Sequence, residues 1–318
     1  YCFNNACGAL LKTAGCQCRS ALSYQKSFRA IVENNPYIDK VHILHEDWKQ
    51  MIDELKKENF DCIIDLHHNL RTWRIKTALR RVKSFSFNKL NYEKWLLTAF
   101  KINKLPKVHI VDRYMQTVTD FGVRNDNKGL DYFIPEKDAV PLTDLPISHL
   151  HGFIGIVIGA ALNTKKLPLH KLKELCSKIK HPVILLGGPE DKAEGVEIAK
   201  DDAIKIYNAC GKFNLNQSAD LVRKAKLIIT HDTGLMHIAA AFQKPIISVW
   251  GNTVPEFGMY EYYSSKTQIA NYKYQISNLP CRPCSKIGYK QCPRKHFKCM
   301  ELQSMDEISA MVREMVRK

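Results

Sequence analysis

The chain has 318 residues, of which 45% are hydrophobic and 25% charged, the balance of an ordinary globular protein long enough for two domains. Its 48 Lys and Arg against 32 Asp and Glu leave a formal charge of +16, which implies anionic company: nucleic acid, an anionic membrane surface or phosphorylated small molecules. No run approaches the roughly 18 apolar residues of a membrane span, and no His-bearing zinc finger, aromatic RNA-binding signature or long Arg run is present, so nucleic acid is not an expected partner.

The opening stretch YCFNNACGALLKTAGCQC has neither a basic start nor a clean apolar run, and it lacks an initiating Met. An incomplete N-terminus is therefore expected, and export cannot be judged from it. From about residue 41 apolar runs alternate with amphipathic ones. VHILHE (41–46), FDCIIDLH (60–67) and VKSFSFN (82–88) predict strands, and DWKQMIDELKKE between the first two predicts a helix with Trp48, Met51, Ile52 and Leu55 on one face. After the loop-like DLPISHLHG (144–152) the alternation restarts with FIGIVIGA, PVILLGG, AIKIYNACG, KLIITHDTG and PIISVWG as strands. LHKLKELCSKI, AEGVEIAKDD, LNQSADLVRKA and LMHIAAAFQ lie between them as helices. Two doubly wound α/β halves, 1–147 and 148–318, account for this order, with the strand C-terminal ends of each half along one edge and a ligand cleft between the halves.

The loops at those strand ends carry the chemistry. In THDTGLMHIAAA, Asp232, Thr233 and Gly234 form a tight turn into a helix whose first N–H groups, near Leu235, have no intrahelical partner and suit a phosphate. His237 lies one turn in, either in the site or packed in the core. After FIGIVIGA come Asn163, Thr164 and Lys165, placed for hydrogen bonds and charge. After PVILLGG, Gly187 and Gly188 are expected to clear space, and Glu190 or Asp191 to take ribose hydroxyls. After PIISVWG come Thr253 and Glu256. Together these groups predict a ring of phosphate ligands and a carboxylate for sugar hydroxyls.

The stretch GKFNLNQSADLVRKAKLIITHDTGLMHIAAAFQKPIISVWGNT (211–253) resembles the nucleotide-sugar half of glycosyltransferase family 9, the ADP-heptose:lipopolysaccharide heptosyltransferases. GAALNTKKLP, LLGGPED, CRPCSKIGYKQCPRKHFKCM, FDCIIDLHHNLRT and VHIVDRYM extend the resemblance over residues 27–317. It implies a GT-B fold, ADP-heptose in the C-terminal half, and a lipid A–Kdo acceptor on the N-terminal half. It also implies inverting transfer with no bound metal or cofactor, in the cytoplasm at the inner face of the membrane. Thr164, Lys165 and the N–H groups of Thr233 to Leu235 would then stabilise the departing ADP, with Asp232 and His237 also at the donor. Arg71 and Arg113 would bind acceptor phosphate or carboxylate through their forked guanidinium groups. A transferase using another nucleotide sugar, or a non-catalytic nucleotide- or nucleic-acid-binding protein, are the alternatives.

Two features stand apart. Cys281, Cys284, Cys292 and Cys299, in C-x2-C-x7-C-x6-C spacing, are expected to be reduced packing cysteines, with a structural zinc knuckle as the lesser alternative. Residues 1–26 depart from the family's Gly-Asp and Thr-Pro start, whose Asp is the expected catalytic base. Read one nucleotide later, one permitted codon choice for Tyr1 to Gln25 restores the Thr-Pro helix. An out-of-frame or truncated start, packing irregularly, is thus expected, and with it nucleotide binding without efficient transfer.

Overall fold

The computed structural model describes residues 21–25, 29–44, 47–264 and 272–317. The chain divides into two compact units: the described residues up to Asn91 with Lys107–Phe133, and Tyr92–Pro106 with the described residues from Ile134 onward.

In the first unit, β1 (Ala21–Gln25) pairs in parallel with β2 (Lys40–Leu44), and β3 (Cys62–Asp65) with β4 (Lys83–Ser86). The helices of this region are α1 (Arg29–Val32), α2 (Trp48–Lys57), α3 (Leu70–Ala78), α4 (Asn91–Phe100, which runs on into the second unit) and α5 (Ile110–Met115). Helix α2 starts where the Asp47 carboxylate accepts the Gln50 N–H at 3.0 Å and buries Met51, Ile52 and Leu55, the face its sequence spacing predicts. Irregular packing was expected through residue 26. Ala21–Gln25 instead forms a regular strand in register with Lys40–Leu44, because parallel pairing satisfies its backbone groups; the rest of that stretch lies outside the described residues.

The second unit is a six-stranded parallel sheet flanked by α6 (Leu169–Lys178), α7 (Lys192–Ala199), α8 (Leu215–Lys224), α9 (Gly234–Ala241), α10 (Lys298–Glu301) and α11 (Met305–Val316). Its strands are β5 (Ile154–Val157), β6 (Val183–Leu186), β7 (Ile206–Asn208), β8 (Leu227–His231), β9 (Ile246–Trp250) and β10 (Tyr272–Ile276), in the order β7-β6-β5-β8-β9-β10. Every residue of β5, β6, β8 and β9 is buried, as expected for parallel strands covered by helices on both faces. Ile154, Ile156, Leu172, Leu175, Leu185, Ile229 and Val249 share one core, each fully buried aliphatic side chain stabilising the fold by ~1.5–3 kcal/mol.

Apart from Tyr92–Pro106, the second unit runs from Ile134, ahead of the expected boundary at 147/148, and polar anchors explain why. Asp138 accepts from the Asn214 and Asn216 side chains at 2.9 Å each. The Val140 N–H donates to the fully buried Asp220 at 2.8 Å, and His149 Nε2 sits 3.0 Å from the Val183 carbonyl. These bonds tie 134–149 to α8 and β6 before β5 begins.

Candidate functional site

The strand order of the second unit places a topological switch point between β5 and β8: successive strands run outward to β6 and β7 on one side of β5, then to β8, β9 and β10 on the other. Ligands of open α/β sheets bind in the crevice beyond the strand C-termini at this point. The loops leaving β5 and β8 carry Lys165 and Asp232, and the two side chains meet there. Lys165 Nζ donates to Asp232 Oδ2 at 2.7 Å and to the Asp232 carbonyl at 3.3 Å. From the next strand, Thr253 Oγ1 donates to the same Asp232 oxygen at 3.0 Å. Lys165 and Asp232 are 16% and 12% exposed, enough to reach a ligand and sheltered enough for charge to matter.

Helix α9 begins beside this pair. Its N-cap, Thr233, has extended backbone but makes no side-chain cap bond, its hydroxyl lying 3.2 Å from that of Thr230. Helix α9 shares this with α6 and α7, whereas α3 and α8 each begin with a reciprocal capping box. The first N–H groups of α9 thus have no side-chain cap, and a Cβ built on Gly234 meets nothing within 4 Å. An open, uncapped helix N-terminus with a lysine alongside suits a diphosphate. Leu235 lies partly buried in the first turn, and His237 is buried in the second.

The remaining loop residues do not all join this cluster. The Thr164 hydroxyl is buried, donating to the Tyr289 carbonyl at 3.0 Å and accepting the Tyr289 N–H at 2.7 Å; it braces a loop where a phosphate contact was expected. Asp191 belongs to a second ion pair, between the β5 and β6 loops. Lys166 Nζ lies 2.6 Å from Asp191 and 3.0 Å from Glu194, while the other Asp191 oxygen accepts the Gly188 N–H at 2.9 Å. Burial opposes the Lys166 charge, but the two carboxylates outweigh it and hold its pKa above the ordinary lysine value. Asp191 is itself 2% exposed, so the ribose expectation passes to Glu190, which is exposed. The space expected at the two glycines is taken by the protein's own side chains: a Cβ on Gly187 would lie 2.8 Å from Asp191 and one on Gly188 2.4 Å from the Glu190 carboxylate. Glu256 is exposed on the β9 loop.

His231, at the end of β8, had no expected role and supports the site. Its Nε2 accepts the Leu167 N–H at 3.0 Å, joining β8 to the turn just past Lys165 and Lys166, and burial holds it neutral with a pKa pushed down to about 3. The signal was its place one residue before Asp232, where the strand still points a side chain into the protein. Glu261, equally unforeseen, is 2% exposed, and burial pushes its carboxyl up to about 7.

In the first unit, Arg71 is exposed on α3, whereas Arg113 is 7% exposed, donates to the Asn88 carbonyl at 2.7 Å and lies 4.9 Å over the Phe87 ring. Arg113 is thus buried and tied to Asn88 and Phe87, and Arg71 is the more exposed cation. Asp65, at the end of β3, is 3% exposed and accepts the N–H groups of His67 and His68 at 3.0 and 2.7 Å, with Lys76 2.8 Å away. Burial raises its pKa, but Lys76 and the His68 N–H lower it further, leaving it below the usual carboxylate range. In the Cys-rich segment, Cys281 Sγ lies 3.9 Å from His296 Nε2 and Cys299 is buried with its thiol pushed up to about 11. Among the described residues no three His, Cys, Asp or Glu side chains converge to hold a metal. No helix among those residues is long and apolar enough to cross a membrane.

The doubly wound sheet and its switch-point crevice are those of a nucleotide-binding α/β domain. Residues 48–290 match the sequence profile of glycosyltransferase family 9 (heptosyltransferase), and the chain belongs to this family. Lipooligosaccharide heptosyltransferase 2 of Haemophilus influenzae is 29% identical over 199 residues, covering 59% of this chain and 55% of that protein. Lipopolysaccharide heptosyltransferase 2 of Escherichia coli is 31% identical over 164 residues, 46% of this chain and 47% of that one. The matches thus span about half the length of these curated relatives. Among solved structures, a family 9 glycosyltransferase from Veillonella parvula superposes with a TM-score of 0.76 at 19% identity, covering 99% of this chain and 93% of its own. The E. coli ADP-heptose LPS heptosyltransferase II does so at 0.74 and 16%, covering 99% and 94%. At such identities the likeness establishes the fold, which is the GT-B class that the resemblance in the sequence implies.

Proposed function

We propose that the chain is a glycosyltransferase that moves a heptose from ADP-heptose onto an anionic lipopolysaccharide-core acceptor of lipid A–Kdo type, working at the cytoplasmic face of a membrane. The reading rests chiefly on one observation: Lys165 and Asp232 meet at the β5/β8 switch point, beside the uncapped and open N-terminus of α9. A diphosphate seated there would exchange water for N–H groups and the Lys165 ammonium, so charge developing on the departing ADP is met by donors already in place. Asp232, held by Thr253, would turn to the sugar hydroxyls, and Glu190 is the carboxylate for the ribose. Family membership supports heptose as the sugar, because the relatives named above are heptosyltransferases. On the acceptor side, Arg71 is the cation offered to an anionic group, and the +16 balance favours both such an acceptor and an anionic membrane surface. Asp65, buried and bound to Lys76, is not assigned the role of base.

A panel of ADP-, UDP- and GDP-sugars in thermal-shift titrations tests the donor. Stabilisation by ADP and ADP-heptose well beyond that by uridine or guanosine compounds is the expected result. A preference for UDP-sugars would assign the chain to a different nucleotide-sugar transferase.

A further inference from the structure

Residues 281–300 contain six basic residues, Arg282, Lys286, Lys290, Arg294, Lys295 and Lys298, and no acidic one. The segment is folded against the β5 loop and is held there. Thr164 and Tyr289 exchange backbone and hydroxyl bonds, including Thr164 N–H to the Tyr289 carbonyl at 3.2 Å. Ser285 Oγ accepts from the Gly288 N–H at 2.7 Å and from the Asn252 side chain at 3.1 Å. Between the segment and the turn that carries Lys165 lies a cavity of about 360 Å³, lined by Asn163, Thr164, Lys290, Gln291, Lys295 and Phe297 among others.

Its chemistry is that of an anion site with room for more than the anion. Lys165 and Lys166 each hold carboxylates, whereas no carboxylate pairs with Lys290 or Lys295 among the described residues. Two unpaired ammonium groups on one cavity repel each other, and an anion between them removes that cost. The Asn163 and Gln291 amides can donate to and accept from hydroxyl groups. Lys295 and Phe297 both have left-handed backbone, with φ of 59° and 46°, conformations that bulky residues adopt only where their surroundings impose them and that gather at functional sites. Phe297 packs on the core of the sheet, so the bend that presents Lys295 is anchored.

We propose that this cavity is a second anion site of the protein, receiving a phosphate monoester carried on a sugar of the acceptor, with Lys290 and Lys295 on the phosphate and Asn163 and Gln291 on neighbouring hydroxyls. The identification of the occupant as acceptor rests on the donor reading of Lys165; the cavity's preference for a sugar phosphate does not. A diphosphate belongs at α9, where N–H groups and a lysine converge. This cavity has ammonium groups and amides and room for a sugar ring beside the phosphate.

The test is calorimetric titration of the full chain at low salt with glucosamine 6-phosphate, inorganic phosphate, glucosamine and ADP, in the parent, in Lys290→Gln/Lys295→Gln and in Lys290→Arg/Lys295→Arg. The parent should bind glucosamine 6-phosphate more tightly than inorganic phosphate and should not bind glucosamine. The Gln pair should lose at least tenfold in sugar-phosphate affinity with ADP affinity within twofold, and the Arg pair should keep most of it. Both lysines are exposed, so folding should be unaffected, which thermal unfolding checks. Unchanged sugar-phosphate affinity in the Gln pair overturns the site. So does inorganic phosphate binding as tightly as the sugar phosphate, which would mark a site for free phosphate, or a parallel loss of ADP, which would make the lysines part of the donor site. A parent that binds the sugar phosphate through these lysines but binds no ADP would leave this site standing and remove the donor reading instead.

Discussion

Lys165 and Asp232 are 67 residues apart in sequence and 2.7 Å apart in the fold, joined across the gap where the strand order of the sheet reverses. The pairing has a consequence for ligand binding: the carboxylate that holds the lysine also competes with any phosphate for it. Asp232→Asn keeps the shape and the Thr253 contact but removes that competition and one negative charge from the crevice. The variant should bind ADP more tightly than the parent, by a few-fold, while sugar transfer falls through the loss of a charged partner for the hydroxyls. Titration with ADP and a transfer assay on the same preparation check both halves, and weaker ADP binding would show that Asp232 contributes to holding the nucleotide.

Gly234 separates binding from folding. A methyl group there meets no protein atom, and alanine is a better helix former than glycine, so Gly234→Ala should leave stability unchanged or raise it by up to ~1 kcal/mol. It should nonetheless weaken ADP by tenfold or more, because the methyl occupies the space through which a phosphate approaches the N–H groups. Urea unfolding alongside nucleotide titration measures the two effects, and full ADP affinity in this variant would place the phosphates elsewhere.

Much of this arrangement can be read from the sequence, and the reasons for the rest are specific. The buried strands, the α9 turn and Lys165 were legible because apolar runs ending in Gly, Thr and Asp mark strand C-termini, and parallel topology brings those ends together. Which carboxylate pairs with which lysine was not. Lys165 and Lys166 are adjacent, and only the direction of the turn after β5 sends one to Asp232 and the other to Asp191 and Glu194. Thr164 and Arg113 read as ligand-binding residues because their types suit it, yet tertiary neighbours claim them: Tyr289 in one case, Asn88 and Phe87 in the other. Glu261 gave no sign, since an acidic residue in a loop is normally solvated.

The buried Glu261 makes a pH prediction with a definite sign. Its pKa is raised by burial from 4.5 to about 7, so the folded state binds more protons than the unfolded state between those values. Stability from this group is fully present below about pH 4.5 and falls as pH rises through about 7. His231, with its pKa lowered to about 3, acts in the opposite sense between that value and 6.5, and His42 and His67, both lowered by burial, add to it, so the parent's own profile is a sum over several groups. The informative quantity is the difference between parent and Glu261→Gln in denaturant unfolding from pH 4.5 to 8. The glutamine variant should gain on the parent between pH 4.5 and about 7 and hold that gain above it, and a difference independent of pH would show that Glu261 is not protonated in the folded protein.

The central claim is that the β5/β8 crevice holds the diphosphate of the donor through Lys165. Isothermal titration of ADP into the parent and into Lys165→Ala, with folding checked by thermal unfolding, tests it most directly. Removal of a sheltered, charge-assisted contact costs ~1.5–3 kcal/mol, so the variant should bind ADP about 10- to 150-fold more weakly while remaining folded. Equal ADP affinity in the two folded proteins would contradict the account.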